Sequence, residues 1–484
     1  MPWKAVSPIE VYKLLPKTNC KKCGEDNCMA FAVRVVNMEL RLEACEPLVT
    51  DPKYRSNYEK LKELLSPLVA EVELRSPKKA VRIGGEYVML RHELTYINPT
   101  AIAVDVTDKM SRDELTKRID FVEGFEYDYL GRKLKLDLIA VRSVTNDPEK
   151  FKETVKFVAE NSSLPLVLCS LNPKVMEAGL SALPDGHRPL IYAATKDNWR
   201  EMADLALKYN AALAVFSPGD LDMLVTLSRT LSEAGVKDLA LDPGTFVGRD
   251  GLRYTINAFT MLRWKACNED YKPAGYPLIG TPITAWKLVD GDEQKKMWWE
   301  TLMATALITR YADLLIMHSL AGWVYLPLVL WRFNIYSDPR RPVAVDPGLR
   351  IMGSPDEHSP VMITGNYALT YSLVSMDIES GKVNCYLIVV DTEGIAIEAA
   401  VPGKKLTPEG IAEALKASGV EEKVKHRILI IPGKAARLAG EIEDATGWKV
   451  LVGPMDSGEI PKFVSEKWKP EVLREMFGED AFKK

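Results

Sequence analysis

The chain has 484 residues, 47% of them hydrophobic and 27% charged, with a net charge of −4. That length suggests about three domains, each able to bury its own core, and the charge balance excludes an electrostatic grip on nucleic acid. Of the seven cysteines, Cys169, Cys267 and Cys385 lie far apart, which is not a disulfide framework and points to a reducing cytoplasm. The opening M-P-W-K-A-V-S-P-I-E has no apolar signal-peptide core.

Residues 1–62 are expected to form a module built on the other four cysteines. The stretch T-N-C-K-K-C-G-E-D-N-C puts Cys20, Cys23 and Cys28 in one tight loop, with Gly24 to turn it. Met29–Ala44 lacks Gly and Pro and predicts a helix delivering Cys45, and Pro47 predicts its stop. Three loop thiolates closed by a fourth from a helix end suit a cubane iron–sulfur cluster. The alternatives are a four-thiolate zinc knot, which usually shows two separated C-x-x-C pairs, and unligated core cysteines. So small a module needs a metal centre to hold its core. Ser66-Pro67 and Ser76-Pro77-Lys78-Lys79 read as a link to the next domain.

From residue 80 to 335 a rhythm sets in. Strand-length apolar runs fall at Ala101–Val106, Leu136–Val141, Leu164–Cys169, Pro189–Ala194, Ala211–Phe216, Leu239–Asp242, Tyr276–Thr281 and Leu314–His318. Helix-length amphipathic stretches such as Pro148–Glu160 and Glu293–Arg310 separate most of them. Strands without polar alternation are covered on both faces, as in a parallel sheet. Eight strand–helix units predict a closed (β/α)8 TIM-type barrel, with a doubly wound open sheet as the alternative. Asp105, Asp108, Asn146, Ser170, Asp242 and His318 stand at strand ends, where such barrels do chemistry. The bland reading of Asp108, Ser111 and Asp242-Pro243-Gly244 is a helix start and a turn. Leu314–Trp331 carries no formal charge over eighteen residues. Its His318, Gly322 and Pro327 favour a strand, a loop and a helix start over a membrane span.

Residues 345–484 predict a smaller, Rossmann-like α/β domain. Strand-like runs at Val361–Ile363, Cys385–Val390, Ile428–Ile431 and Val450–Val452 alternate with helices near Tyr367–Met376, Pro408–Ala417, Ala435–Asp444 and Ile460–Trp468. Ligands in such sheets lie beyond the carboxyl ends of the strands. The loops there are T-G-N-Y at 364, D-T-E-G-I-A at 391, P-G-K at 432 and G-P-M-D-S-G at 453. Their small residues suit a large flat ligand, although turns hold such residues anyway. No glycine stands five residues before Gly403 or Gly433, and no G-x-G-x-x-G occurs, so no phosphate loop is present.

C-x2-C-x4-C-x16-C, the barrel, and I-T-G-N-Y-A-L-T-Y-S-L-V with V-G-P-M-D-S-G-E-I-P together resemble the large (gamma) subunit of the corrinoid iron–sulfur protein. That family belongs to the acetyl-CoA decarbonylase/synthase complex, and the resemblance covers nearly the whole chain. It implies a [4Fe-4S] cluster on Cys20, Cys23, Cys28 and Cys45. It implies a cobamide in the C-terminal domain, at Thr364, Asn366, Thr370, Gly394, Ile395, Ala396, Ile397, Gly453, Pro454 and Ser457. The implied activity is a methyltransferase component. Cobalt(I) accepts a methyl group from an N5-methyl-tetrahydropterin for delivery to acetyl-CoA synthase, and the cluster reactivates cobalt(II). Implied partners are the small (delta) subunit, the acetyl-CoA synthase subunit, methyl-tetrahydropterin or its methyltransferase, and a ferredoxin-like electron donor, with no nucleic acid and no membrane. D-x-H-x-x-G, which places histidine on cobalt, is incomplete at Asp185-Gly186-His187 and at Asp356-Glu357-His358, in keeping with the family's histidine-off binding. Two other classes remain open from the residues: a ferredoxin-like subunit with an inert barrel and no cobamide, and a cobamide-independent barrel methyltransferase.

Overall fold

A computed structural model of the chain describes residues 6–37, 40–339 and 342–482. These form two compact units: the described residues of Met1–Phe125 with Lys135–Tyr336, and Glu126–Leu134 with those of Ser337–Lys484.

The first unit opens with short helices. Ser7 and Glu10 close a capping box on helix Pro8–Leu14. The Asn27 carboxamide caps helix Cys28–Val36 by accepting from the Ala30 N–H. That helix stops well before the expected Ala44, because Asn37, a poor helix former, ends it and a 3-10 turn at Leu42–Ala44 then buries Leu42. Pro47 does not end a helix either; it sits in the first turn of a new one, Glu46–Thr50, where its missing N–H costs nothing. Val11, Phe31, Leu48 and Leu61 make a small core that takes in Cys28 and Cys45.

Strands β1 (Glu71–Arg75) and β2 (Ala80–Gly84) then pair antiparallel. Ser76-Pro77-Lys78-Lys79, expected as a link, is the hairpin turn, with the Ser76 N–H donating to the Lys79 carbonyl at 2.8 Å. The hairpin straddles the expected barrel start at residue 80. Its Val72, Leu74 and Ile83 share a core with Ala101, Leu138, Val167 and Leu190, so it plugs the amino-terminal end of the barrel. The barrel strands are β3 (Ala101–Thr107) and, after an excursion through β4 (Glu126–Tyr129) and β5 (Arg132–Lys135), β6 (Leu138–Arg142), β7 (Leu166–Cys169), β8 (Leu190–Ala194), β9 (Ala212–Phe216), β10 (Leu239–Asp242), β11 (Ile279–Gly280) and β12 (Leu314–Met317). All pair in parallel in the order β10-β9-β8-β7-β6-β3-β12-β11. A parallel bridge from Leu241 to Leu278 brings the two end strands together. This is the TIM-type barrel rather than the open sheet. Leu314–Trp331 resolves into β12, a loop and helix Gly322–Tyr336. No helix among the described residues is long and apolar enough to cross a membrane.

The second unit is a five-stranded sheet of β13 (Gly348–Met352), β14 (Val361–Gly365), β15 (Cys385–Val390), β16 (Ile428–Ile431) and β17 (Lys449–Val452), ordered β13-β15-β14-β16-β17. All but the edge strand β13 run parallel. One face packs on Leu406, Ile411 and Trp448, and the other on Ile378 and Leu473. The β4–β5 hairpin belongs to this unit although it is cut from the barrel's sequence. It turns through left-handed Leu130 and Gly131, and Arg132 pairs with Asp346 at 2.7 Å.

Candidate functional site

Cys20, Cys23, Cys28 and Cys45 line one small pocket with Asn27, Phe31 and Pro47, around about 300 Å³ of empty space partly open to solvent. Three residues that flank or alternate with the first cysteine, Lys17, Asn19 and Lys21, have φ of 58°, 47° and 60°, and Gly24 follows at 86°. Left-handed backbone costs a non-glycine residue about 1 kcal/mol or more and gathers at ligand clamps. The Asn19 carboxamide braces this loop by accepting from the Cys28 N–H at 2.9 Å. The Lys22 N–H, with the Thr18 hydroxyl, holds the Cys20 thiol below its ordinary range. Burial pushes Cys45 up, and the neighbouring Cys28, Cys23 and Cys20 add to the rise against the Leu48 N–H. An ionised sulfur at Cys45 therefore needs a metal centre to compensate. No three His, Cys, Asp or Glu side chains among the described residues are gathered as a single ion requires. Thiolates around a cubane stand further apart, since the cluster lies between them. The donor set and the loop fit such a cluster.

The second unit holds a larger pocket, about 1070 Å³ including its open mouth, at the carboxyl ends of β14, β16 and β17. Thr364, Thr370, Ala396, Ile397, Gly453, Pro454 and Ser457 line it, over an apolar bed of Met362, Leu387, Ile430 and Phe463. Asn366, Gly394 and Ile395 do not. The Asn366 carboxamide oxygen accepts from the Thr392 N–H, the Thr392 hydroxyl and the Gly394 N–H, each at 2.9 Å, so it shapes the loop that presents Ala396 and Ile397. Gly394 takes φ 73° where a Cβ would meet the Pro342 carbonyl at 2.8 Å, and Ile395 packs on the core. The Thr364 hydroxyl is buried at the pocket wall with no hydrogen-bond partner among the described residues. Lys434 and Met455 of the two loops expected there also line this pocket, together with Leu373 and Glu398, which lie outside the four expected loops; Glu398 pairs with Lys434. The left-over hydroxyl, the apolar bed and the small residues at the mouth fit a large, flat, amide-edged ligand such as a corrinoid.

At the barrel's carboxyl end the strand-end candidates bind one another. Asp105 accepts from Arg142 at 2.7 and 2.9 Å and pairs with His318 Nδ1 at 2.6 Å. Burial alone would raise its carboxyl, but His318, Arg142 and Arg118 hold it below the ordinary range. Arg118 also lies 3.2 Å from His318 Nε2 and donates to the His318 carbonyl, so both ring nitrogens are engaged within the protein. Asp108 accepts from Ser143, Val144 and Thr145. Asn146 and Ser170 both bond Asn172. These groups lock loops.

Asp242, fully buried, accepts from the Tyr192 hydroxyl at 2.6 Å and the Gly244 N–H at 2.7 Å. Burial raises its pKa to about 6 despite those two bonds. A raised carboxyl stabilises fully below its unfolded pKa, near 4, and loses that contribution as pH climbs through 6, up to about 3 kcal/mol. Asp242→Asn keeps the hydrogen bonding to Tyr192 without the charge. Its unfolding midpoint should gain on the parent protein between pH 4 and 6 and hold that lead at pH 8. A gap independent of pH would contradict the buried-acid account.

Residues 71–464 match the family model described as CO dehydrogenase/acetyl-CoA synthase delta subunit, and residues 15–47 match an Fe-S cluster model. The chain is 45% identical over 470 residues to acetyl-CoA decarbonylase/synthase complex subunit gamma 2 of Methanosarcina thermophila, covering 97% of this chain and 100% of that one. It is 44% identical to the gamma subunit of Archaeoglobus fulgidus over 97% of this chain and 100% of the relative. Among solved structures, dihydropteroate synthase of Thermus thermophilus aligns with a TM-score of 0.38 at 14% identity, over 54% of this chain and 99% of that one. The delta description covers the barrel and the second unit, whereas the gamma relatives match along their full length, cysteine module included. The chain therefore belongs to the gamma-subunit family of the acetyl-CoA decarbonylase/synthase complex.

Proposed function

We propose that the chain is the corrinoid iron–sulfur methyl carrier of its complex. The observation that carries this reading is the pocket at the carboxyl ends of β14, β16 and β17, with its unsatisfied Thr364 hydroxyl, in the same chain as a four-cysteine pocket. When bound, a cobamide supplies a nucleophilic metal that takes a methyl group from an N5-methyl-tetrahydropterin for acetyl-CoA synthase, and a [4Fe-4S] cluster supplies the low-potential electron that reactivates it. The chain's own part is to bind and shield. Cys20, Cys23, Cys28 and Cys45 would hold the cluster as thiolates. Thr364, Thr370 and Ser457 offer hydroxyls to the polar edge of the ring, and Met362, Leu387, Ile430 and Phe463 exclude water beneath it. Gly433 and Gly453 let the two loops beside the pocket pack backbone to backbone; a Cβ on Gly433 would meet the Pro454 carbonyl at 2.8 Å. Neither histidine of this unit lines the pocket. His426 is buried and bonded to the Ser359 carbonyl at 3.0 Å, and His358 is exposed. The reading extends to the partners: a delta subunit, the acetyl-CoA synthase subunit, methyl-tetrahydropterin or its methyltransferase, and a ferredoxin-like donor.

Metal analysis and a visible spectrum of the anaerobically purified chain test it. About four iron, four sulfide and one cobalt per chain are expected, with corrinoid bands over the broad cluster absorption. Zinc without sulfide would defeat the cluster. Cobalt-free protein that takes up no added corrinoid would leave the ferredoxin-like reading.

A further inference from the structure

The four cysteines are unequally covered. Cys28 and Cys45 are 8% and 6% exposed, Cys23 is half-buried, and Cys20 lies on the surface. A cluster held by these four side chains would be most accessible at its Cys20 ligand. Electron transfer falls steeply with distance, so a carrier protein must dock over that ligand. Lys17, Thr18, Asn19, Cys20, Lys21 and Lys22 form an unbroken exposed run with three ammonium groups and no carboxylate. Lys21 lines the cysteine pocket, and Lys22 acts electrostatically on Cys20. The left-handed residues Lys17, Asn19 and Lys21 alternate along the run, and backbone of that kind is set by the fold around it. Lys21 pairs with Asp26 at 3.3 Å and Lys22 with Glu46 at 3.0 Å, all four side chains more than half exposed. Exposed pairs of this kind exchange partners readily. Lys17 has no carboxylate partner among the described residues and rests over the Tyr12 ring.

We propose that Lys17, Lys21 and Lys22 are the docking face for an acidic, low-potential iron–sulfur electron carrier protein. The proposal rests on the cluster reading above. One electron leaves the reduced carrier, which is oxidised by one, and enters the cluster beside Cys20, which is reduced by one. No bond forms and no proton moves. The lysines offset the negative charge of cluster and carrier, so the encounter is steered and weakens with salt.

The test uses the full-length anaerobic protein and, as probe, a small acidic ferredoxin carrying two [4Fe-4S] clusters, reduced beforehand. Iron is counted first. Bleaching of the chain's cluster should slow steeply as salt rises from about 0.05 to about 0.5 M, an expectation for steered encounter. At low salt the K17E/K21E/K22E protein should be reduced at least about tenfold more slowly. K53E/K60E/K62E, the same charge change elsewhere on the module, should match the parent. The methyl viologen radical cation, which needs no acidic docking, should reduce all three. Carbodiimide cross-links between the parent protein and ferredoxin carboxylates should fall on Lys17, Lys21 and Lys22. Equal ferredoxin rates in parent and K17E/K21E/K22E proteins, or cross-links confined to other lysines, would overturn the proposal. A parent chain without iron and sulfide would overturn the cluster reading, and the docking face with it.

Discussion

Cys45→Ser protein purified without oxygen should carry fewer than about one iron per chain where the parent carries about four. Cys45 is 6% exposed and sits in the core with Phe31, Leu42 and Leu48. Burial pushes its thiol up, so an ionised sulfur there is costly unless a metal neutralises it. Serine is smaller, harder and protonated at neutral pH, and it is a much poorer ligand for cluster iron than a buried thiolate. The small core of the module then loses the centre that ties residues 20–28 to 45. Limited proteolysis should cut within residues 15–65 while β3–β12 and the second unit stay intact. Cys169→Ser is the control, because that thiol is buried in the barrel core and pushed to about 12 by burial. Its iron content should equal the parent's. A Cys45→Ser protein with full iron would show that the pocket around Cys20, Cys23 and Cys28 closes on some other fourth ligand.

The barrel was open to sequence reading because its strands are buried along nearly their whole length and mostly apolar, with polar residues gathered toward their carboxyl ends. Ala101–Thr107 and Leu138–Arg142 are examples, and both lie within a residue or two of the expected runs. What escaped was everything set by partners distant in sequence. E-Y-D-Y-L-G-R-K-L-K has no apolar run and lies between two barrel strands, so nothing local says that β4 and β5 join the other unit. The helix from Cys28 ends at Val36 on Asn37, a single weak stop signal that the helix formers on either side of it conceal. The strand-end residues stand out by position alone, yet Asp105 and His318 satisfy each other, which only the distance between β3 and the end of β12 reveals. In the second unit glycines and small residues mark the four loops, and all four reach the pocket. The side of the chain was not readable at Asn366. β14 ends at Gly365, the period-two alternation stops there, and the carboxamide turns to the backbone of the 391–394 loop.

Two changes at that pocket should move corrinoid binding in proportion to what each removes. Ala396 lines the pocket at the start of the short helix Ile397–Ala400. Ala396→Trp places an indole in the space, and aquocobinamide, a corrinoid without a nucleotide base, should show no measurable binding. Thr364→Val is subtler and more telling. Thr364 is 2% exposed and its hydroxyl is unsatisfied among the described residues, which costs the free protein about 1 kcal/mol or more. Valine keeps the shape, so the corrinoid-free protein should be more stable by about 1 kcal/mol. It should bind aquocobinamide about tenfold more weakly, the loss of one hydrogen bond. Opposite signs in the two measurements mark a group held in readiness for a ligand, whereas a hydroxyl of purely structural use would lose in stability alone. Equilibrium dialysis gives the affinity, and the unfolding transition of the second unit gives the stability. Unchanged affinity in Thr364→Val, or cobalt uptake by Ala396→Trp at the parent level, would place the corrinoid elsewhere in the chain.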